Sequence, residues 1–249
     1  MALDMLRINT EFQGKTIQRL TSGYRINTSG DDAAGLAVAN GYRTQVAELH
    51  QGIRNASDGL SSLQIVDGGL NNISKMIDRL RTLATQAASD TFTGDLNLLD
   101  KEFSAIRLEI DRQASNIGLV TGGTSAKTVE VWVGGGSSLA NSIVTLDLTT
   151  TSVVDSAGLG IDADVLTSKA AAKTALTNLT SATTNLGTIQ GQVGSSQNKL
   201  QYAVNLASSQ AANIAAAESR IRDADIAAEA SNLTKAQVLT QASMAALAQ

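Results

Sequence analysis

The sequence predicts a mainly α-helical fold: a long, antiparallel, coiled-coil-like helical rod drawn from both chain ends, with a small β-hairpin region in mid-chain. Three observations carry that expectation. The 249 residues contain no proline, so the strongest helix breaker is absent. Apolar side chains recur at steps of three and four over very long stretches near both ends. Between them the pattern switches to strict alternation, punctuated by glycine. Only 3% of residues are aromatic. The core must therefore be built from small aliphatic groups, which suits helices packed closely along their length.

The first long helix is expected from about Asp31 to Ala88. Its stripe runs Leu49, Ile53, Ala56, Leu60, Leu63, Val66, Leu70, Ile73, Ile77, Leu80 and Leu83. Such a helix would be about 80 Å long. Ser29 with Asp32 has capping-box spacing and marks its start, and Asp31-Asp32 complement the free amides and the dipole there. Gly52 and Gly59 sit beside the stripe. Either another helix backbone comes close at these glycines, or they locally loosen the helix. Ser89 to Gly94 reads as a turn. A second helix follows with Leu96, Leu99, Phe103, Ile106, Ile110 and Ile117 on one face, forming an antiparallel hairpin with the first.

From Gly118 the character changes. Gly122-Gly123 and Gly134-Gly135-Gly136 bound two alternating segments, Val129, Val131, Val133 and then Val144, Leu146, Leu148. These read as strands of a small β region between about Lys127 and Val154. In the last third, Leu179, Leu186, Val193, Leu200, Ala207, Ile214 and Ile221 recur every seventh residue. Ala182, Ile189, Ser196, Ala203, Gln210, Ala217 and Ala224 fill the accompanying offset, making a coiled-coil-like seam. Gly187, Gly191 and Gly194 weaken its early part. Asp223 and Asp225 read as part of an alternating charged helix face. Neither long stripe can be buried alone, so the N- and C-terminal segments are expected to pack together.

Chemistry is conspicuous by what the side chains cannot do. The chain has no cysteine and one histidine, His50, which excludes thiolate chemistry and paired-His metal spacing. No catalytic, cofactor-binding or metal site is expected, and none of the glycine-rich stretches has a phosphate-loop ending. The net charge of −4 comes from interspersed charges without a basic run, so nucleic acid is not an expected partner. No window approaches the ~18 apolar residues that cross a membrane, and the N-terminal stretch lacks the apolar run of a secretory signal. General signals alone would make the chain soluble and cytosolic. A filament subunit fits these features best. A helical signalling scaffold would share the heptads but needs no β insertion, and an enzyme would need convergent polar groups.

Specific residues then point to a family. RLTSGYRINTSGDDAAGLAVAN, Arg19 to Asn40, resembles the N-terminal signature of bacterial flagellins. NASDGLSSLQIVDGGLNNI, Asn55 to Ile73, EIDR, Glu109 to Arg112, and AAESRIRDADIAAEASNLTKAQVL, Ala216 to Leu239, resemble later family segments in the same order. The resemblance implies a structural, non-enzymatic subunit of the bacterial flagellar filament, polymerising through its terminal helices for motility. It also implies export through the flagellar channel without a cleaved signal. The alternative is a helical scaffold or adhesin-like homologue with no motility role. On the family pattern, 1–27 and 222–249 are partial filament-core segments, 28–118 and 165–221 are rod helices, and 119–164 is an outward-facing β region. Both ends look shorter than the family's, which implies either trimming or a natural short-ended variant. The expected partners are other copies of the chain, a flagellar export chaperone, the filament cap and Toll-like receptor five. The resemblance carries the receptor-recognition residues onto Arg79, Leu83 and Glu102.

Overall fold

The structure is a computed structural model and describes residues 2–120, 123, 128–135, 142–147 and 153–247. Five helices and two strands stand among the described residues: α1 (Ala2–Ser22), α2 (Ala33–Ala88), α3 (Leu96–Asn116), β1 (Thr128–Trp132), β2 (Ile143–Asp147), α4 (Lys169–Arg222) and α5 (Ile226–Leu247). They divide into two compact units. One holds Met1–His50 with Ser208–Gln249, the other Gln51–Ala207.

In the first unit α1 lies antiparallel on α5. Asn9 Nδ2 donates to Ser243 Oγ at 3.1 Å. The Arg19 guanidinium stands 3.3 Å from the Glu229 carboxylate. Thr16 and Ala236, both buried, let the two backbones come close. α1 ends at Gly23, whose φ of 74° is the left-handed conformation that terminates helices, with its N–H on the Arg19 carbonyl. The chain then crosses the α4–α5 junction. Arg25 N–H donates to the Arg222 carbonyl at 2.6 Å, and Ala224 N–H to the Gly23 carbonyl at 2.9 Å.

Two expectations need correction here. Ser29 and Asp32 do not form a capping box. Asp32 is itself the N-cap of α2, its Oδ1 accepting from Gly35 N–H at 2.9 Å. A Cβ at Gly35 would lie 2.4 Å from the other Asp32 carboxylate oxygen and 2.8 Å from Ile26 Cδ1, so a larger residue there would have to push aside the ends of both side chains. Asp31 instead closes the preceding turn, accepting from the amides of Asn27 and Thr28, and those bonds hold its carboxyl below the usual range. Nor do Asp223 and Asp225 sit on a continuous helix face. The helix breaks between them, and Asp225 Oδ1 caps α5 by accepting from Ala227 and Ala228 N–H. Capping satisfies orphan amides that a helix face cannot offer.

The second unit is an antiparallel assembly of the α2 portion from Gln51, α3 and the α4 portion to Ala207. Leu63, Val66, Leu70, Ile73, Ile77, Leu80 and Leu83 of α2 are buried, as are Phe103 and Ile110 of α3. Leu179, Leu186, Val193 and Leu200 of α4 complete the core, each worth about 2 kcal/mol of burial. Ser196 is buried in the α4 seam, while Ile214 and Ile221, in the first unit, are half-buried. α3 starts on an N-cap, Asp95, as the turn before it requires.

β1 and β2 pair antiparallel, with Val131 opposite Val144. Leu148, expected in the second strand, lies outside the described residues, as do Gly122 and Gly136. The hairpin explains Gly52 and Gly59. The backbone that approaches Gly52 is the end of β1 and not another helix: a Cβ there would stand 1.7 Å from the Val133 carbonyl oxygen. Gly59 faces Val131 and Leu200. Asn55 Nδ2 donates to the Trp132 carbonyl at 3.1 Å and completes the dock.

Gly52→Ala is therefore expected to destabilise the chain by about 1–3 kcal/mol, because backbone must move. Gly187→Ala, whose Cβ meets nothing within 4 Å, is expected to stabilise by about 0.5–1 kcal/mol. Thermal unfolding of both variants checks the opposite signs.

Candidate functional site

The three residues marked for recognition are not equivalent. Arg79 on α2 and Glu102 on α3 meet across the hairpin, with Arg79 Nε donating to Glu102 Oε1 at 2.9 Å and Nη2 at 2.5 Å. Both side chains stay open to solvent, at 53% and 43% exposure. An exposed pair of this kind adds little stability, under about 1 kcal/mol, so it presents charge more than it holds the helices. Leu83 is 1% exposed and packs inward, so it supports this surface from beneath. His50 is exposed on α2. Among the described residues no three His, Cys, Asp or Glu side chains converge in a way that could hold a metal.

A second feature was not legible in the sequence. Residues 154–166 run back along α3, clasped by side chains on one of its faces. The Asp111 carboxylate accepts from Ser156 N–H at 2.6 Å and from Ser156 Oγ at 3.0 Å. Arg107 Nη1 donates to the carbonyls of Asp162 and Asp164. Asp100 Oδ1 accepts from Leu166 N–H at 2.6 Å. Asp100, Arg107 and Asp111 are seven and four apart, the spacing of one helix face. Asp164 is buried, and that burial pushes its carboxyl above the usual range, although Asn178 Nδ2 donates to it at 2.8 Å. The only forward signal was the i, i+7, i+11 polar row on α3.

Among the described residues, most of the exposed large apolar side chains lie in the first unit. On α1, Leu3 is 70% exposed and Ile8 52%, and on α5, Val238 is 59% exposed and Met244 51%. No helix among the described residues is long and apolar enough to cross a membrane.

Long helices, paired chain ends and exposed apolar faces define a helical structural subunit that associates through its surface. Residues 1–117 match the bacterial flagellin N-terminal helical region, and residues 176–249 the bacterial flagellin C-terminal helical region. The chain is 35% identical over 250 residues to flagellin FlaB1 of Treponema pallidum, covering 95% of this chain and 87% of that protein. It is 30% identical to the flagellin of Bacillus subtilis, covering 99% and 92%. The crystal structure of Bacillus cereus flagellin superimposes with a TM-score of 0.53 at 32% identity, over 66% of this chain and 94% of that one. The chain belongs to the bacterial flagellin family: it is an exported structural subunit of the flagellar filament and not an enzyme.

Asp111→Ala removes both bonds to Ser156 and is expected to cost about 2 kcal/mol. Amide exchange should accelerate in 153–166 while the α2 core stays protected, which mass spectrometry of the two segments reads directly.

Proposed function

We propose that successive segments of the chain divide the work of the filament. Residues 1–27 and 222–249 supply the innermost contacts, 28–118 and 165–221 the surrounding rod, and 119–164 faces outward. The observation that carries this reading is the exposed apolar surface on the α1–α5 pair. The helices are interrupted at Gly23–Asp32 and at Asp223–Asp225, close to the bounds of the innermost segments. The Ile8→Ser, Val238→Ser double variant is expected to keep its helical content and lose sedimentable polymer. Normal polymer from this variant, seen by negative-stain microscopy, would contradict the reading.

The same surface gives a reason for an export chaperone. Before assembly these side chains would drive aggregation, and a partner that covers them keeps the subunit soluble. The filament cap then receives the subunit at the growing end. Both partners come from the family resemblance.

Toll-like receptor five is the third proposed partner. Arg79 and Glu102 form the exposed charged contact, and Leu83 holds α2 in position below them. An Arg79→Ala, Glu102→Ala double variant is expected to lower reporter activation at unchanged thermal stability. Undiminished activation would remove these two positions from the contact.

A further inference from the structure

Residues 153–166 lead the chain back into α4, and they are fastened differently from the helices around them. Apolar side chains of this strap, Val153, Val154, Leu159, Ile161 and Leu166, are buried. Among the described residues, one backbone-to-backbone bond ties the strap to another part of the chain, Val154 N–H to the Leu119 carbonyl at 2.9 Å. Its other backbone bonds close turns within it, such as Ile161 N–H to the Ser156 carbonyl. Docking therefore depends on side chains, above all on Asp100, Arg107 and Asp111 of α3. A segment held in this way can open locally while the rest of its domain stays folded.

Asp164, within the strap, is only 6% exposed. One carboxylate oxygen accepts from Asn178 Nδ2 of α4 at 2.8 Å. The other, Oδ2, is buried and has no hydrogen-bond partner among the described residues. Arg107 does not bond to it, because its Nη1 donates to the backbone carbonyls of Asp162 and Asp164. Through space the Arg107 charge favours the ionised carboxyl, the Asp162 carboxylate opposes it, and Asn178 brings no charge from α4. A buried carboxylate with one bare oxygen is costly to hold ionised, and protonation removes its charge.

We propose that Asp164 is a proton-operated latch: the strap docks firmly against α3 and α4 when this carboxyl is protonated, and it loosens when the carboxyl ionises.

In the docked strap, burial holds the Asp164 carboxyl above its ordinary 3.8, and release into water returns it there. Across that interval the docked form binds more protons than the released form. Docking therefore strengthens as pH falls through the raised value, and the gain is lost as pH rises through it. Asp100 and Asp111 face the strap from α3 and accept its amides, so protonating them would act in the opposite direction. A strap tightened by acid thus singles out Asp164.

Amide exchange of 153–166 in the full chain tests this at about pH 7.5 and about pH 4.5, with each rate divided by the chemical rate at that pH and compared with the α2 core. Relative protection of the strap is expected to be several-fold higher at the acid value. Asp164→Asn keeps an acceptor for Asn178 and removes the charge. It is expected to hold at neutral pH the protection that the unsubstituted chain reaches only in acid. Asn178→Ala removes a bond that favours the ionised form and is expected to widen the contrast between the two pH values. Strap protection that stays level or falls on acidification overturns the proposal, as does an acid gain that survives Asp164→Asn. If Asp164→Asn does not fold, carbon-13 titration of the aspartate carboxyls in the unsubstituted chain decides. The Asp164 signal is expected to titrate above its ordinary value, and titration at or below that value overturns the latch.

Discussion

An apolar stripe on a long helix has to be covered, and in this chain the segment that covers it comes from the other end of the sequence. A helix of twenty or so residues is marginal in water by propensity alone, and most of its stability comes from packing. α1 meets α5 across more than two hundred residues, held by Asn9 to Ser243 and Arg19 to Glu229. α2 meets α4 in the same antiparallel sense through Gly59 and Leu200. The two ends of the chain are thus each other's folding partners. Other apolar side chains of the same helices, Leu3 and Ile8 on α1 and Val238 and Met244 on α5, stay outside.

Polar groups do the complementary work of stopping and turning the helices. With no proline available, the breaks rely on carboxylates and glycine. Asp32, Asp95 and Asp225 each cap a helix by accepting backbone amides, and Gly23 ends α1 in the left-handed conformation. The junction is tightened by Arg222, whose guanidinium lies 4.1 Å over the Tyr24 ring and 3.8 Å from Glu218. Within the second unit, Asp100, Arg107 and Asp111 hold a segment that has no periodic apolar pattern of its own. Side chain-to-backbone bonds replace the sheet ladder or helix turn that would otherwise satisfy its amides.

Features generated by local repetition were legible in advance. The stripe from Leu49 to Leu83, the α3 face and the heptads of α4 announce themselves because helix periodicity writes burial into the sequence. The alternation around Val131 and Val144 did the same for the hairpin. What was not legible depended on distant partners. The Asp223–Asp225 break was hidden because apolar spacing continues past Ile221, while the reason to stop lies at Gly23. Gly52 left two readings open because the backbone that excludes a side chain there belongs to Val133. Arg79 and Glu102 were marked by resemblance alone, since no local pattern reports that α2 and α3 bring them together. Leu83 belonged to both the core stripe and the recognition set, and its burial gives precedence to the core.

Mutual dependence of the two ends is tested most directly by amide exchange of α1 in a chain lacking 226–249. α1 should lose its protection and exchange like an unfolded segment, while the core from Gln51 to Ala207 remains protected. An α1 that kept its protection without α5 would contradict the account, because its helix would then owe nothing to the far end of the chain.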